Sequence, residues 1–365
     1  MDPADTPSAT PPGPLPGPSG APAAPWPGPA TGEVTIAGAA AATPMPEPLV
    51  TPDMIAAARA RVSPFVRRTP IISTRPGELG LVHGVALKLE LLQYTGSFKA
   101  RGAFNKILVA AAGSGVPEAG LVAASGGNHG AAVAYAARRL GYRAEIFVPA
   151  SSPVMKRERI ASFGAVVHVV EGLYDDAQAA ANAHQYETGA MLVHPYEDIE
   201  VVAGQGTMAA ELGDQLDSYD TLLVATGGGG FTAGQAAWVR DTRKIVSVEP
   251  ITSQCLHTAL TAGELRNVEV SGVASDSLGA RRLGAIAWSV VRHYVDESVV
   301  VTDDDIRAAQ RVLWDELRLI AEPGGATALA ALRCGAYVPE RGERVVVAVC
   351  GSNCDPSTIV PPSPA

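Results

Sequence analysis

The sequence predicts an α/β fold of mostly parallel sheet, and three observations predict it. Short β-branched apolar runs alternate with helical stretches of about 10–15 residues, the pattern of βαβ units. Glycine-bearing clusters follow several of those runs directly, and open α/β sheets bind ligands there, beyond the carboxyl ends of their strands. The chain has 365 residues, 47% of them hydrophobic, enough for a sizeable core and, by length, about two or three domains.

The globular pattern begins at "TPDMIAAARARV" (51–62). Thr51 suits an N-cap, Pro52 suits the first helical position, and an Ala-rich helix follows. "VALKLELL" (85–92) reads as a strand, and "TGSFK" (95–99) opens a helix expected to run through Leu108. Strands are then expected over 120–125, 144–149, 165–170 and 190–195. Helices over 127–141, 152–164 and 174–189 alternate with them, each ending on a glycine. A helix covers "GTMAAELGDQL" (206–216), strands cover 221–226 and 244–250, a helix covers 303–317, and a last buried strand covers 343–350.

Composition excludes several function classes. Lys and Arg number 28 against 37 Asp and Glu, a formal net charge of −9. No basic block stands out, so no nucleic-acid partner is expected. No apolar run reaches the ~18 residues of a membrane span. The four cysteines, Cys255, Cys334, Cys350 and Cys354, form no disulfide framework, which suits a reducing compartment. No second Cys or His pair gives zinc spacing, so no metal site is expected. Residues 1–48 are a different material: 14 of the 29 prolines lie in the first 50 residues. Such a segment cannot bury enough apolar surface to offset its ordering entropy, and reads as a disordered tail. It has no apolar h-region, and the first basic residue is Arg59, so neither a secretory signal nor a transit peptide is expected and cytoplasm is the default.

Four clusters stand at strand ends or helix starts. In "YTGSFKARGA" (94–103) Lys99 sits behind a Thr-Gly-Ser turn, placed as a nucleophilic amine or as a plain surface charge. "ATGGGGFTAGQAAW" (225–238) exposes the backbone N–H groups of Gly227, Gly228, Gly229 and Gly230 at a helix start. That is a phosphate cradle in principle, though not a P-loop, since no Gly-Lys-Ser/Thr follows. In "ASGGNHGAAVA" (124–134) Ser125, Gly126 and Gly127 offer donors to an anion, and Asn128 offers an amide. "VCGSNCD" (349–355) puts the small neutral thiol of Cys350 at a strand tip. Singly, each has a bland counterpart: a flexible turn, an N-cap, a buried cysteine. Together they are the parts that a pyridoxal phosphate Schiff base requires.

The chain resembles the β-family (fold type II) pyridoxal-phosphate enzymes, and within them the threonine/serine dehydratase and serine racemase branch. "TGSFKARGAFNK" (95–106) resembles that branch's Schiff-base segment, with Ala100 beside the lysine where cysteine and threonine synthases usually differ. "SGGNHG", "HPYEDIEVVAGQGTMAAEL", "TGGGGFTAG", "VEP", "SDSLGARRLG", "EPGGATALAAL" and "CGSN" follow in the family's order, from about Thr51 to Asp355. The resemblance implies a two-domain fold with the cofactor, pyridoxal 5'-phosphate, in the interdomain cleft. It implies a larger domain from 49–118 plus 199–361, a smaller one from 119–198, and a homodimer. Lys99 would carry the cofactor and shuttle the Cα proton. Phe98 would pack on one ring face, Asn128 bond the cofactor's 3-oxygen, and Gly227 through Gly230 hold its phosphate. Cys350 would face the pyridine nitrogen, and Ser125, Gly127 and His129 would hold the substrate carboxylate.

Three departures narrow the reaction. Racemases of the branch resemble "SSGN" and use the second Ser as a base on the face opposite the lysine; Gly126 stands there, which disfavours two-base racemisation. Their divalent metal site near "VEP" keeps Glu249 but has Cys255 where a second acid is expected, so no Mg²⁺ is expected there, a monovalent ion on backbone carbonyls staying open. The sequence ends ten residues after Asp355, so a regulatory domain like that of biosynthetic threonine dehydratases is not expected. The expected enzyme is an ammonia-lyase that eliminates water from L-threonine or L-serine. A serine racemase-like enzyme, a hydroxyaspartate ammonia-lyase and a ligand sensor without turnover are the alternatives.

Overall fold

The computed structural model describes residues 47–360. The tail expected over 1–48 therefore lies, but for its last two residues, outside the described residues. The strands are β1 (Ile71–Ser73), β2 (Ala86–Lys88), β3 (Leu121–Ala124), β4 (Ala144–Pro149), β5 (Val166–Val170), β6 (Met191–Leu192), β7 (Thr221–Ala225), β8 (Lys244–Pro250), β9 (Glu297–Val301) and β10 (Val345–Ala348). The first six helices are α1 (Pro52–Val62), α2 (Lys99–Ala112), α3 (Asn128–Leu140), α4 (Val154–Ser162), α5 (Tyr174–Thr188) and α6 (Ile199–Leu212). The rest are α7 (Gly230–Val239), α8 (Cys255–Ala262), α9 (Ser275–Leu278), α10 (Ala285–Tyr294), α11 (Asp303–Leu317) and α12 (Pro323–Cys334).

Two sheets form. One has the order β1-β2-β10-β7-β8-β9, parallel except for the antiparallel β1–β2 pair; the other, β5-β4-β3-β6, is parallel throughout. Strand β3 shows why its residues are apolar without alternation. Leu121 and Ala123 pack into one core with α2 and α3, while Val122 and Ala124 pack into another with Ala177 and Ala181 of α5. A parallel strand covered on both faces has no polar side.

Local signals hold at several boundaries. The Thr51 side chain accepts from Met54 N, and Pro52 is the first residue of α1. Gly141 and Gly189 take the left-handed conformation that ends α3 and α5. Four expectations need correction. The strand expected over 85–92 stops at Lys88, because Leu89 leaves the extended region and Glu90–Leu92 forms a short 3₁₀ turn. Pairing over 190–195 is confined to Met191–Leu192. The helix expected to end at Leu108 runs to Ala112. The one expected over 206–216 is α6, starting at Ile199 under an Asp198 N-cap that accepts from Glu200 N and Val201 N.

Helix α6 is buried from Val201 to Leu212. Small residues let its neighbours come close: a Cβ on Gly204 would meet Arg101 O at 2.7 Å, and one on Gly234 would meet Gly206 N at 2.6 Å. Helices α2 and α7, which begin at Lys99 and at the glycine run, are thereby clamped to a common helix.

Candidate active site

Lys99 opens α2 directly after two left-handed residues, Thr95 (φ +65°) and Gly96 (φ +80°). Gly96 tolerates this conformation, whereas a β-branched Thr95 is strained in it. The loop after β10 holds the strained turn: Asn353 Nδ2 donates to Thr95 O at 2.8 Å and Ser352 N to Gly96 O at 2.9 Å. Two residues beyond Lys99, the buried Arg101 donates to both oxygens of Glu90 at 2.7 and 2.8 Å and to Glu211 at 3.1 Å. Breaking such a buried ionic group costs about 3–5 kcal/mol, so it pins the first turn of α2 and with it the lysine.

The Lys99 amine donates to Pro195 O at 3.4 Å and lies 5.0 Å from the centroid of the Phe98 ring. Burial lowers its pKa to about 8, against the pull of Cys350 and Glu322. A fraction of the amine is therefore unprotonated near neutral pH, as a nucleophile requires.

Eight of the predicted site residues line one cavity: Phe98, Lys99, Asn128, Gly227, Gly228, Gly229, Gly230 and Cys350. They arrive from the ends of β3, β7 and β10 and from the start of α2. Phe98 stacks on Phe231 with centroids 3.9 Å apart. The glycines are demanded by packing. A Cβ on Gly227 would lie 2.9 Å from the Leu278 backbone, one on Gly228 would enter the Tyr196 ring, and Gly229 has φ +85°. Gly230 starts α7, and no side chain caps that helix, so its N–H groups are left for an anion.

Asn128 joins the strand-end clusters. It donates to Glu322 Oε1 at 2.5 Å and accepts from Asn353 Nδ2 at 2.6 Å. One amide hydrogen remains for a ligand. Asn128 is the first residue of α3 and not its cap; Gly127 is. The Cys350 thiol donates to Gly324 O at 3.3 Å, and burial pushes its pKa up, helped by Glu322. It stays protonated and neutral.

Ser125, Gly127 and His129 are not among the residues lining this cavity. They form the turn beside it, where Gly127 N donates to Ser125 Oγ at 3.2 Å. His129 Nε2 is bonded to Val193 O at 2.8 Å, leaving Nδ1 buried without a partner. Burial, with the Lys99 charge, lowers its pKa to about 3; His194 is lowered to about 4 for the same reasons. Both imidazoles are neutral.

The Glu322 carboxyl is pushed up to about 7, chiefly by burial, with Lys156 opposing and Asp276 adding to the rise. In the cofactor-free protein, folded Glu322 keeps its proton up to about pH 7, while the unfolded one loses it near pH 4.5. Its contribution to stability is therefore lost as pH rises through that window. Glu322→Gln should remove this component, so that the Tm falls less between about pH 5 and about pH 7 than in the wild type. Equal falls would contradict the raised carboxyl.

Around the place considered for a divalent ion, Glu249 accepts from Leu256 N at 2.9 Å and His257 N at 2.7 Å, and burial raises it to about 8. The Cys255 thiol donates to Gly227 O at 3.2 Å. Among the described residues no group of three His, Cys, Asp or Glu side chains is placed to hold a metal.

Sequence reasoning assigned no role to Tyr196, Asn353 or Thr95. Tyr196 and Asn353 fall in segments already recognised, "HPYEDIEVV" and "CGSN". Nothing in the sequence says that the Tyr196 ring lies against the glycine run, or that Asn353 bridges two other clusters.

A nucleophilic amine across a small cavity from an uncapped glycine cradle fits a cofactor with an aldehyde at one end and a phosphate at the other. Such a site defines an α/β enzyme of the lysine Schiff-base class. The profile of the pyridoxal-phosphate dependent enzyme family matches residues 62–351. The chain belongs to that family, and pyridoxal 5'-phosphate is its cofactor. It is 36% identical over 315 residues to a phenylserine dehydratase of Ralstonia pickettii, covering 84% of this chain and 95% of the relative. It is 34% identical over 304 residues to a catabolic L-threonine dehydratase of Staphylococcus aureus, covering 82% and 87%. The structure of maize serine racemase superposes with a TM-score of 0.79 at 32% identity, covering 85% and 95%. No helix among the described residues is long and apolar enough to cross a membrane.

Proposed function

We propose that the chain is an ammonia-lyase that converts a β-hydroxy amino acid, L-threonine or L-serine, to a 2-oxo acid and ammonia. The observation that carries this reading is the Lys99 amine, its pKa lowered to about 8, in the cavity that also holds the glycine run. Bound pyridoxal phosphate would make the Cα–H acidic and accept its electron pair. Lys99 takes that proton and gives it up again to the departing β-hydroxyl, which leaves as water, and the released enamine tautomerises and hydrolyses to oxo acid and ammonia. Gly227 through Gly230 hold the phosphate, Asn128 turns its free amide hydrogen to the 3-oxygen, and Phe98 covers one ring face. Ser125, Gly127 and His129 hold the substrate carboxylate, His129 through its backbone N–H in the uncapped first turn of α3. Cys350, neutral, gives the pyridine nitrogen no ionic partner. A long-lived carbanion is then poorly stabilised, which favours prompt elimination.

The same reading takes residues 119–198 as a smaller domain, 49–118 with 199–361 as a larger one, a homodimer as the assembly and the cytoplasm as the location. The test is release of oxo acid and ammonia from L-threonine, L-serine, D-serine, 3-hydroxyaspartate and phenylserine. Phenylserine joins the panel because a relative bears its name. Appearance of the enantiomer alone, with no oxo acid, would make the chain a racemase.

A further inference from the structure

The turn between β3 and α3 has no side chain at Gly126. A Cβ built there would run into Ser152, meeting its Oγ and, at 2.7 Å, its Cβ. Ser152, just before α4, thus puts a hydroxyl into the volume that a side chain at position 126 would take. The backbone fixes it, with Ser152 N donating to Pro149 O at 2.9 Å. Its hydroxyl is half-buried and makes no hydrogen bond among the described residues.

The surroundings say what it could bind. Helix α3 starts with no side-chain cap, so the N–H groups of its first turn call for an acceptor. In the same turn His129 is 2% exposed and its Nδ1, an acceptor, has no partner, which calls for a donor. An amino acid brings both, a carboxylate and a donating nitrogen or hydroxyl.

We propose that Ser152 is a substrate-binding residue whose hydroxyl donates to the substrate carboxylate at the 125–128 turn, in place of a side chain at Gly126. The proposal rests on reading the chain as an amino-acid ammonia-lyase. By sequence, Gly126 leaves its own position without the second Ser that racemases of the branch carry, and the fold brings the Ser152 hydroxyl, 26 positions downstream, into that volume.

The experiment compares the wild-type holoenzyme with Ser152→Ala, Gly126→Ser and the double variant Gly126→Ser/Ser152→Ala. KM and kcat are measured on L-threonine and L-serine, and Tm on all four proteins. Losing one hydrogen bond to a charged group should raise KM about tenfold in Ser152→Ala, with kcat lowered less than about threefold. Gly126→Ser should crowd Ser152 and lower Tm. The double variant, with one hydroxyl again in the shared volume, should recover both Tm and KM, a strongly non-additive cycle. An unchanged KM in Ser152→Ala overturns the proposal. So does a fall in kcat at constant KM, which would mark a proton carrier, and so do additive Tm changes. A cofactor-loaded wild type that turns over no L-hydroxy amino acid overturns the parent reading, while the Tm cycle still decides whether the two side chains share one volume.

Discussion

Lys99→Ala should fold, bind little cofactor and lose activity by roughly four orders of magnitude or more, because the proposed mechanism has one residue both carry the cofactor and move the Cα proton. Purified wild type should be yellow, and the variant should lose the absorbance of the lysine-bound cofactor. Folding should survive because the turn is held by other groups: Arg101 on Glu90 and Glu211, and Asn353 on Thr95 O. Lys99→Arg should fail as completely, since a guanidinium keeps its charge at any workable pH and cannot form the imine. Activity retained in either variant, or a colourless wild type, would refute the assignment of Lys99.

Gly228→Val should cost the second largest effect, and on cofactor affinity more than on fold. The new side chain would push into the Tyr196 ring, and the run it distorts begins α7. Hydrogen bonds from N–H groups to a charged phosphate contribute about 1.5–3 kcal/mol each, so misplacing two of them should weaken cofactor binding by about 100-fold or more. Equilibrium titration of the cofactor-free protein with pyridoxal phosphate measures this directly. An unchanged affinity would mean that the phosphate is held elsewhere. Serine is the milder probe at Gly230, where a Cβ would lie 2.9 Å from Tyr196 Cβ.

Much of the architecture was legible because local signals and burial agree. Strands β4 and β8 run over the residues expected of them, as does α11, whose Thr302 and Asp305 form a capping box. Where the expectation erred, tertiary context overrode composition. "VALKLELL" is apolar enough for an eight-residue strand, yet Glu90 turns away to meet Arg101 and Thr69, and the strand ends at Lys88. "AMLVHP" stops pairing after Leu192, and in the stretch beyond it the Val193 and Pro195 carbonyls accept bonds from His129 and Lys99.

By itself the sequence displayed the groups that stand at the strand ends and helix starts: which loop has an amine, which has bare N–H groups, which has an amide and which a thiol. Those depend on residue type and on the strand-to-helix order, both of which are local. Only the tertiary structure decided what those ends do to one another. Asn128 reaches Glu322 and Asn353 across 194 and 225 positions of chain, burial lowers the pKa of the Lys99 amine, and the Ser152 hydroxyl stands in the volume that a side chain at Gly126 would fill. Distances and desolvation arise from packing, and packing pairs residues that the sequence keeps far apart.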